Sequence, residues 1–98
     1  IIFDEPTSAL DFGNQYKFLR TVKWLKELGY SVVLTTHNPD FAVLLGGYVA
    51  LVKGDGEVGF GTVDEIIRSE NLSQLYGLNL NVSYIDEVKR NCCLTYPL

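Results

Sequence analysis

Residues 1–11, with the sequence IIFDEPTSALD, contain the pattern that decides the fold of this chain. Three apolar residues are followed directly by two acids, Asp4 and Glu5. An apolar run that ends in acids is typical of a short strand buried on both faces, as strands of parallel sheets are. Pro6 disfavours helical geometry for the residue before it, so we expect Glu5 to be extended and residues 6–13 to form a loop.

A strand, a helix and a second strand are predicted in the first part of the chain. Residues 14–28 predict a helix with a broad apolar stripe, and Gly29 is its expected end. Residues 31–36, SVVLTT, are rich in β-branched side chains and predict a second buried strand. A connection of this length makes a βαβ unit, in which the two strands are parallel. The stripe comprises Phe18, Val22, Leu25 and Leu28, with Leu19 at its edge.

The remainder of the chain carries capping and turn signals. Asn38 is a good N-cap and Pro39 a good first residue for a short helix over residues 39–45. An Asp-Gly turn predicts a hairpin, and the sequence TVDE is a capping box. The further expectations are a hairpin over residues 48–61, a helix over residues 63–70, a helical turn over residues 72–77 and an edge strand over residues 78–85.

Composition limits the functions that the chain can have. Its 98 residues suffice for at most one small domain, and its net charge of −4, without a basic run, argues against a nucleic-acid-binding surface. No segment approaches the roughly 20 apolar residues of a membrane span, and no signal peptide is expected. The adjacent Cys92 and Cys93 suit neither a disulfide nor a zinc site and predict reduced thiols. Because Ile1 lies within the first predicted strand, we expect a piece of a longer protein.

Acidic side chains follow the first predicted parallel strand, and a histidine follows the second. Asp4 and Glu5 end the first strand, and Thr36 and His37 end the second. Ligands of parallel sheets bind beyond the carboxyl ends of the strands, so two acids and the only histidine share a ligand-binding edge. Each residue has a simpler explanation when taken singly: acids at strand ends are commonly solvated, His37 suits a turn, and Asp11 suits a turn or a helix cap. Their convergence nevertheless predicts a site.

These residue types suit metal-assisted attack of water on a phosphate. One carboxylate can hold Mg²⁺, directly or through water, and an adjacent carboxylate can orient or deprotonate the attacking water. A nearby histidine can donate a hydrogen bond to a phosphate oxygen. Such reactions depend mainly on charge stabilisation and positioning. The sequence has no G-x-x-x-x-G-K-[ST] segment, so nothing in it cradles phosphates as a P-loop does.

The motifs together resemble the C-terminal part of an ABC-type ATPase subunit. IIFDE resembles the Walker B strand, SALD at residues 8–11 the D-loop, and His37, 26 residues after Asp11, the switch histidine. The resemblance implies an α/β fold over residues 1–98: the C-terminal part of a P-loop NTPase parallel sheet with flanking helices, incomplete. LDFGNQ and LSQLYGLNLNV resemble the subgroup that serves importers of iron–siderophore, haem and cobalamin.

The resemblance also implies roles in ATP hydrolysis for individual residues. Asp4 would hold the Mg²⁺ of Mg-ATP, usually through water. Glu5 would polarise the attacking water as the general base, and His37 would contact the γ-phosphate. The D-loop residues would lie between two nucleotide-binding domains; they are Ser8, Ala9, Leu10 and Asp11.

Partners, location and activity follow from the same resemblance. The intact protein would form a homodimer through its nucleotide-binding domains and bind membrane permease subunits at the cytoplasmic face of the cell membrane. A substrate-binding protein would be an indirect partner, and no nucleic acid is expected. The Walker A loop, glutamine loop and LSGGQ-type signature are absent from residues 1–98, so we expect this segment alone to be inactive and to expose apolar faces and strand edges. Two alternatives are a non-transport ABC ATPase, acting on DNA or ribosomes, and a binding or regulatory module without hydrolysis.

Overall fold

In the computed structural model, which describes residues 1–98, the chain divides into two units, Ile1–Leu45 and Gly46–Leu98. Both units combine helices with strands, which confirms the α/β prediction. None of the helices is long and apolar enough to cross a membrane. The first unit contains β1 (Ile2–Phe3), α1 (Phe12–Glu27), β2 (Val33–Leu34) and α2 (Pro39–Leu45). The second contains β3 (Tyr48–Val52), β4 (Val58–Thr62), α3 (Val63–Ile66), α4 (Ser69–Tyr76), β5 (Leu80–Ile85) and β6 (Arg90–Thr95).

The two strands of the first unit are parallel neighbours, as the βαβ prediction requires. Ile2 pairs with Val33 and Phe3 with Leu34, and the Thr35 amide donates to the Phe3 carbonyl at 3.1 Å. The strands are shorter than predicted and are not buried on both faces, since Ile2 is 81% exposed. Val33, the residue paired with Ile2, is also exposed, so apolar side chains of this strand pair are open to water, as expected for an incomplete sheet.

Helix α1 begins two residues earlier than predicted because Asp11 caps it. The Asp11 carboxylate accepts the backbone amide three residues further on, at 2.8 Å, so the first helical turn starts directly after the cap. The predicted apolar stripe is buried at Leu19 and Val22, whereas Leu28, at the end of the helix, is exposed. Gly29 follows with a φ of 97° and ends the helix as predicted.

Aromatic side chains pack α1 against strand β1 and helix α2. Phe18 of α1 meets Phe3 edge to face with ring centroids 5.2 Å apart, and Tyr16 meets Phe41 in the same way at 5.6 Å. Phe41 is only 2% exposed. Burying such a side chain contributes roughly 1.5–3 kcal/mol, so this aromatic packing contributes substantially to the stability of the unit. Asn38 begins α2 as predicted, its side-chain oxygen accepting the backbone amide two residues further on at 3.0 Å.

The hairpin predicted in the second unit is formed by β3 and β4. The two strands are antiparallel in a register that runs from Tyr48 opposite Thr62 to Val52 opposite Val58. Gly56, in the turn, has a φ of 86°, a conformation that glycine adopts without the steric penalty of a side chain. The Asp-Gly signal therefore identified both the turn and the strands that it joins.

The helix predicted over residues 63–70 is two helices in the structure. The capping box begins α3 as predicted, with Thr62 and Glu65 exchanging hydrogen bonds, but this helix ends after four residues. Ile67 is 5% exposed, and Arg68 is extended with a φ of −131°, before α4 begins. Burial of Ile67 in the second unit therefore takes precedence over the continuous helical pattern of the sequence.

The final hairpin contains one strand that the sequence analysis missed. The predicted edge strand is β5, and it pairs antiparallel with β6, Arg90–Thr95. On the other side of β5, the hydroxyls of Ser69 and Ser73 in α4 accept two of its backbone amides, at 2.8 and 2.9 Å. Cys92 is buried and Cys93 half-buried in β6, and both are free thiols. The serines replace a neighbouring strand, so β5 is covered on both sides.

The capping box yields a prediction about pH. The pKa of Glu65 is lowered because its carboxylate accepts the Thr62 backbone amide at 3.0 Å and, in addition, the Thr62 hydroxyl at 2.9 Å. Since the folded chain favours the charged form, the stabilisation is present above the ordinary pKa of 4.5 and is lost as the pH falls through the lower folded value. An NMR titration of the Glu65 side chain should therefore give a pKa below 4.5.

Two Thr62 variants test the cause of this shift. Thr62→Ala removes the hydroxyl and keeps the backbone amide, so the Glu65 pKa should move part of the way back to its ordinary value. Thr62→Ser retains the hydroxyl and should preserve the wild-type pKa. An identical Glu65 pKa in the wild type and in Thr62→Ala would contradict the assigned contribution of the hydroxyl.

Candidate functional site

The carboxyl ends of β1 and β2 bring the predicted acid and histidine into contact. Glu5 Oε1 lies against His37 Nε2, and the two form an ion pair when the imidazole is protonated. The histidine side chain is 86% exposed and the glutamate side chain 42% exposed. An ion pair this exposed contributes at most about 1 kcal/mol to stability. Its position matters more than its energy, because a ligand can reach both side chains from solvent.

Glu5 does not have the extended backbone that Pro6 predicts. Its φ is 45°, in the left-handed region that costs a residue other than glycine about 1–3 kcal/mol. The Glu5 amide donates to the Thr35 hydroxyl at 2.8 Å, and the Glu5 carbonyl accepts the Ser8 amide at 3.2 Å and the Ser8 hydroxyl at 3.1 Å. A following proline excludes right-handed helical geometry most strongly. Among the backbone conformations that Pro6 still allows Glu5, these hydrogen bonds stabilise the left-handed one.

Asp4 shares the hydroxyl that holds Glu5. Thr35 Oγ1 donates to Asp4 Oδ1 at 2.7 Å while it accepts the Glu5 amide. The positions of both acids at this edge are predictable from the sequence, whereas the role of Thr35 is not, because its pattern is that of an ordinary β-branched strand residue. The only signal in the sequence is that two hydroxyl-bearing residues, Thr35 and Thr36, end an otherwise apolar strand.

The predicted D-loop residues form a turn beside the acids. Residues 8–10 are exposed, whereas Thr7 is buried, and the Thr7 carbonyl accepts the Leu10 amide at 3.1 Å. The Gln15 side chain of α1 donates to the carbonyls of both Thr7 and Leu10 at 3.3 Å. Gln15 therefore fixes the shape of the turn. It is a second residue that the sequence analysis missed, because nothing in its local pattern distinguishes it from a solvated helix residue.

A shallow depression of about 150 Å³ connects this turn with the histidine. Pockets that enclose whole small-molecule ligands measure about 300–1,000 Å³, so this one has room for a group such as a phosphate rather than for a nucleotide. Its lining contains a carboxylate and an imidazole but no lysine or arginine. The residues that matter for the chemistry of the depression are Glu5, Ser8, Gln15, Thr36, His37 and Asn38.

Asp4 is the residue of this edge that suits a magnesium ion. No group of three or more His, Cys, Asp or Glu side chains is arranged as a metal site of its own. Mg²⁺ that accompanies phosphates needs only one or two protein carboxylates, because water and phosphate oxygens complete its coordination. Asp4, with Thr35 on one of its two oxygens, fits that donor set. When bound, the ion would neutralise part of the phosphate charge.

Comparisons with known proteins lead to the ATP-binding proteins of ABC transporters. An uncharacterized ABC transporter ATP-binding protein of Haemophilus influenzae is 40% identical over 78 residues, 78% of this chain and 29% of that protein. The iron(3+)-hydroxamate import ATP-binding protein of Bacillus subtilis is 26% identical over 100% of this chain and 37% of that protein. A solved metal-chelate type ABC transporter in an inward-facing conformation superposes with a TM-score of 0.85 at 30% identity, covering 99% of this chain and 40% of that one. No protein-family model matches the chain.

The chain is similar to a segment of ABC transporter ATP-binding proteins, and its α/β fold, with acids and a histidine at one strand edge, agrees with that similarity. The homologues of this chain are ABC transporter ATP-binding proteins, which confirms the resemblance seen in IIFDEPTSALD and the downstream histidine. The chain spans about a third of the length of the curated relatives that it matches, 29% and 37%.

Asp11 caps α1, and this capping role can be tested. Asp11→Ala removes the acceptor of the Asn14 amide and should lower the free energy of unfolding by about 0.5–2 kcal/mol. Asp11→Asn keeps a side-chain oxygen in the same place, and asparagine is about as good an N-cap as aspartate, so its stability should stay close to that of the wild type. Urea unfolding followed by circular dichroism measures both. Equal losses in the two variants would show that charge rather than capping is responsible.

Proposed function

We propose that the protein containing this chain binds and hydrolyses ATP to drive the import of a metal chelate, such as an iron–siderophore complex. The contact between Glu5 and His37 at the carboxyl edge of a parallel strand pair carries the proposal. The Bacillus subtilis relative is named for iron(3+)-hydroxamate import, and the solved structure is of a metal-chelate type transporter. These relatives favour transport over the alternative of an ABC ATPase that acts on DNA or ribosomes.

Glu5 is the general base in this proposal. Its carboxylate takes a proton from a water molecule as the water oxygen attacks the γ-phosphorus of ATP. The bond between that phosphorus and the bridging oxygen breaks, and ADP and inorganic phosphate leave. A positioned base of this kind typically accelerates a reaction about 10²–10⁴-fold. The half-exposed position of the Glu5 side chain leaves it accessible to the attacking water.

His37 and Asp4 act on the phosphate rather than on the water. His37 contacts the proposed base, and in this proposal its imidazole donates a hydrogen bond to a γ-phosphate oxygen near the attacking water. Asp4 would hold the Mg²⁺ of Mg-ATP, directly or through water. In this proposal, one side chain of the strand edge accepts the proton of the water, and two others stabilise the charge of the phosphate.

The exposed turn at residues 8–11 is the proposed contact with a second nucleotide-binding domain in a homodimer. Ser8, Ala9 and Leu10 face solvent, and Gln15 holds the turn in one conformation, as a contact surface requires. Membrane permease subunits would bind the intact protein at the cytoplasmic face of the membrane, with a substrate-binding protein as an indirect partner. A net charge of −4 gives no support for a nucleic-acid partner.

Replacing the proposed base tests this function in the intact protein. Glu5→Gln cannot accept the proton of the water, so the ATPase rate should fall about 10²–10⁴-fold while ATP binding persists. Phosphate release at saturating ATP and the fluorescence of a bound ATP analogue measure the two effects separately. Glu87→Gln, an exposed acid of the turn between β5 and β6, serves as the control and should retain activity. Near-normal hydrolysis by Glu5→Gln would remove Glu5 as the base.

Residues 1–98 alone should show no ATPase activity above background. The depression beside Glu5 has no lysine or arginine in its lining and is too small for a nucleotide, so this segment lacks most of the expected phosphate-binding energy. Phosphate release by the purified segment measures this directly. Turnover by the segment that disappears in Glu5→Gln would contradict the prediction, because it would show a complete site within these residues.

A further inference from the structure

One hydroxyl group connects both acids of the candidate site. Thr35 follows β2 directly and donates its own backbone amide to the Phe3 carbonyl, which places its side chain beside the end of β1. Its Oγ1 accepts the Glu5 amide at 2.8 Å and donates its single proton to Asp4 Oδ1 at 2.7 Å. A hydroxyl can make both bonds at once because it is a donor and an acceptor.

The two hydrogen bonds act on different properties of the two acids. The bond from the Glu5 amide holds a residue whose φ is 45°, a backbone conformation that would relax without support. That conformation carries the carboxylate that meets His37. The Thr35 hydroxyl binds Oδ1 of Asp4 and does not bind Oδ2. Oδ1 is therefore held in place, and Oδ2 can bind a ligand.

We propose that Thr35 is a positioning residue that holds Asp4 and Glu5 in their working arrangement. The inference rests on the proposed function, in which these two acids hold the metal and activate the water. Thr35 does not touch the reacting atoms in this scheme. It acts through the backbone of one acid and through the carboxylate of the other, which are linked by a single oxygen atom.

Three variants separate the hydroxyl from the shape of the side chain. Thr35→Val keeps the β-branched shape and loses both hydrogen bonds, whereas Thr35→Ser keeps the hydroxyl. Thr21→Val is a matched control, because the Thr21 hydroxyl donates only to a carbonyl of its own helix, that of Lys17 at 3.2 Å. Similar far-UV circular dichroism would show that the variants fold alike.

Amide hydrogen exchange tests the hydrogen bonds without any activity measurement. In Thr35→Val, the Glu5 amide should exchange about five- to tenfold faster than in the wild type, as expected for loss of one partly solvated hydrogen bond. Thr35→Ser and Thr21→Val should match the wild type. The Val33 amide, which donates to the Ile1 carbonyl, is the internal reference for the strand pair. An unchanged Glu5 amide, or an equal acceleration at Val33, would overturn the proposal.

ATPase kinetics of the intact protein test the consequence for chemistry. Thr35→Val should lower kcat about 10- to 100-fold and change the KM for ATP by less than about twofold, because misplaced groups slow the reaction step more than binding. Thr35→Ser should restore most of kcat. A normal kcat in Thr35→Val would overturn the positioning role. A wild-type protein without ATPase activity would instead overturn the proposed function, and the exchange measurement would still decide whether Thr35 holds the two acids.

Discussion

The parallel pairing of β1 with β2 is the constraint on which the candidate site depends. Its register places Phe3 opposite Leu34, and this fixes which side chains come next on each strand. Because the strands run in the same direction, both polar segments leave the sheet at the same edge. A shift of one residue would turn Thr35 away from Asp4 and Glu5, since successive side chains of a strand point to opposite faces.

Such a short strand pair cannot maintain this register by itself. Its outer face is exposed, so the packing that holds it comes from α1, where Phe18 meets Phe3, and from the contact of Tyr16 with the buried Phe41 of α2. At the acids the Thr35 hydroxyl makes hydrogen bonds to the Glu5 amide and the Asp4 carboxylate. The adjacent turn is held by the Gln15 side chain. Apolar packing thus sets the register, and hydrogen bonds within the edge set the local conformation.

The elements of the first unit, and the residues that meet at its edge, could be predicted from the sequence. Parallel topology alone brings Glu5 and His37 together, and no side-chain geometry is needed to expect it. The supporting residues Thr35 and Gln15 were missed because their roles depend on register and rotamer, which a local pattern does not encode. The extended conformation predicted for Glu5 was wrong, because a tertiary hydrogen bond outweighs the preference that the following proline sets.

In the second unit the errors have a different origin. The pattern of residues 63–70 continues helical periodicity through Arg68, but Ile67 is buried and the chain becomes extended there. Strand β6, Arg90–Thr95, has little period-two alternation, and its strand conformation comes from pairing with β5. In both cases burial or pairing with a distant segment decides the local structure.

The neighbouring acids Asp4 and Glu5 do not compete for the same hydrogen-bond partner, because the chain turns between them. Asp4 is held by the Thr35 hydroxyl and Glu5 contacts the His37 imidazole, so each carboxylate has its own partner. A neutral hydroxyl leaves the charge of Asp4 for a hard cation, whereas an imidazole can exchange a proton with its neighbour. The lining of the depression contains Glu5 and His37 and no lysine or arginine. In the proposed function, the Mg²⁺ held by Asp4 would therefore neutralise part of the charge of a phosphate at this edge.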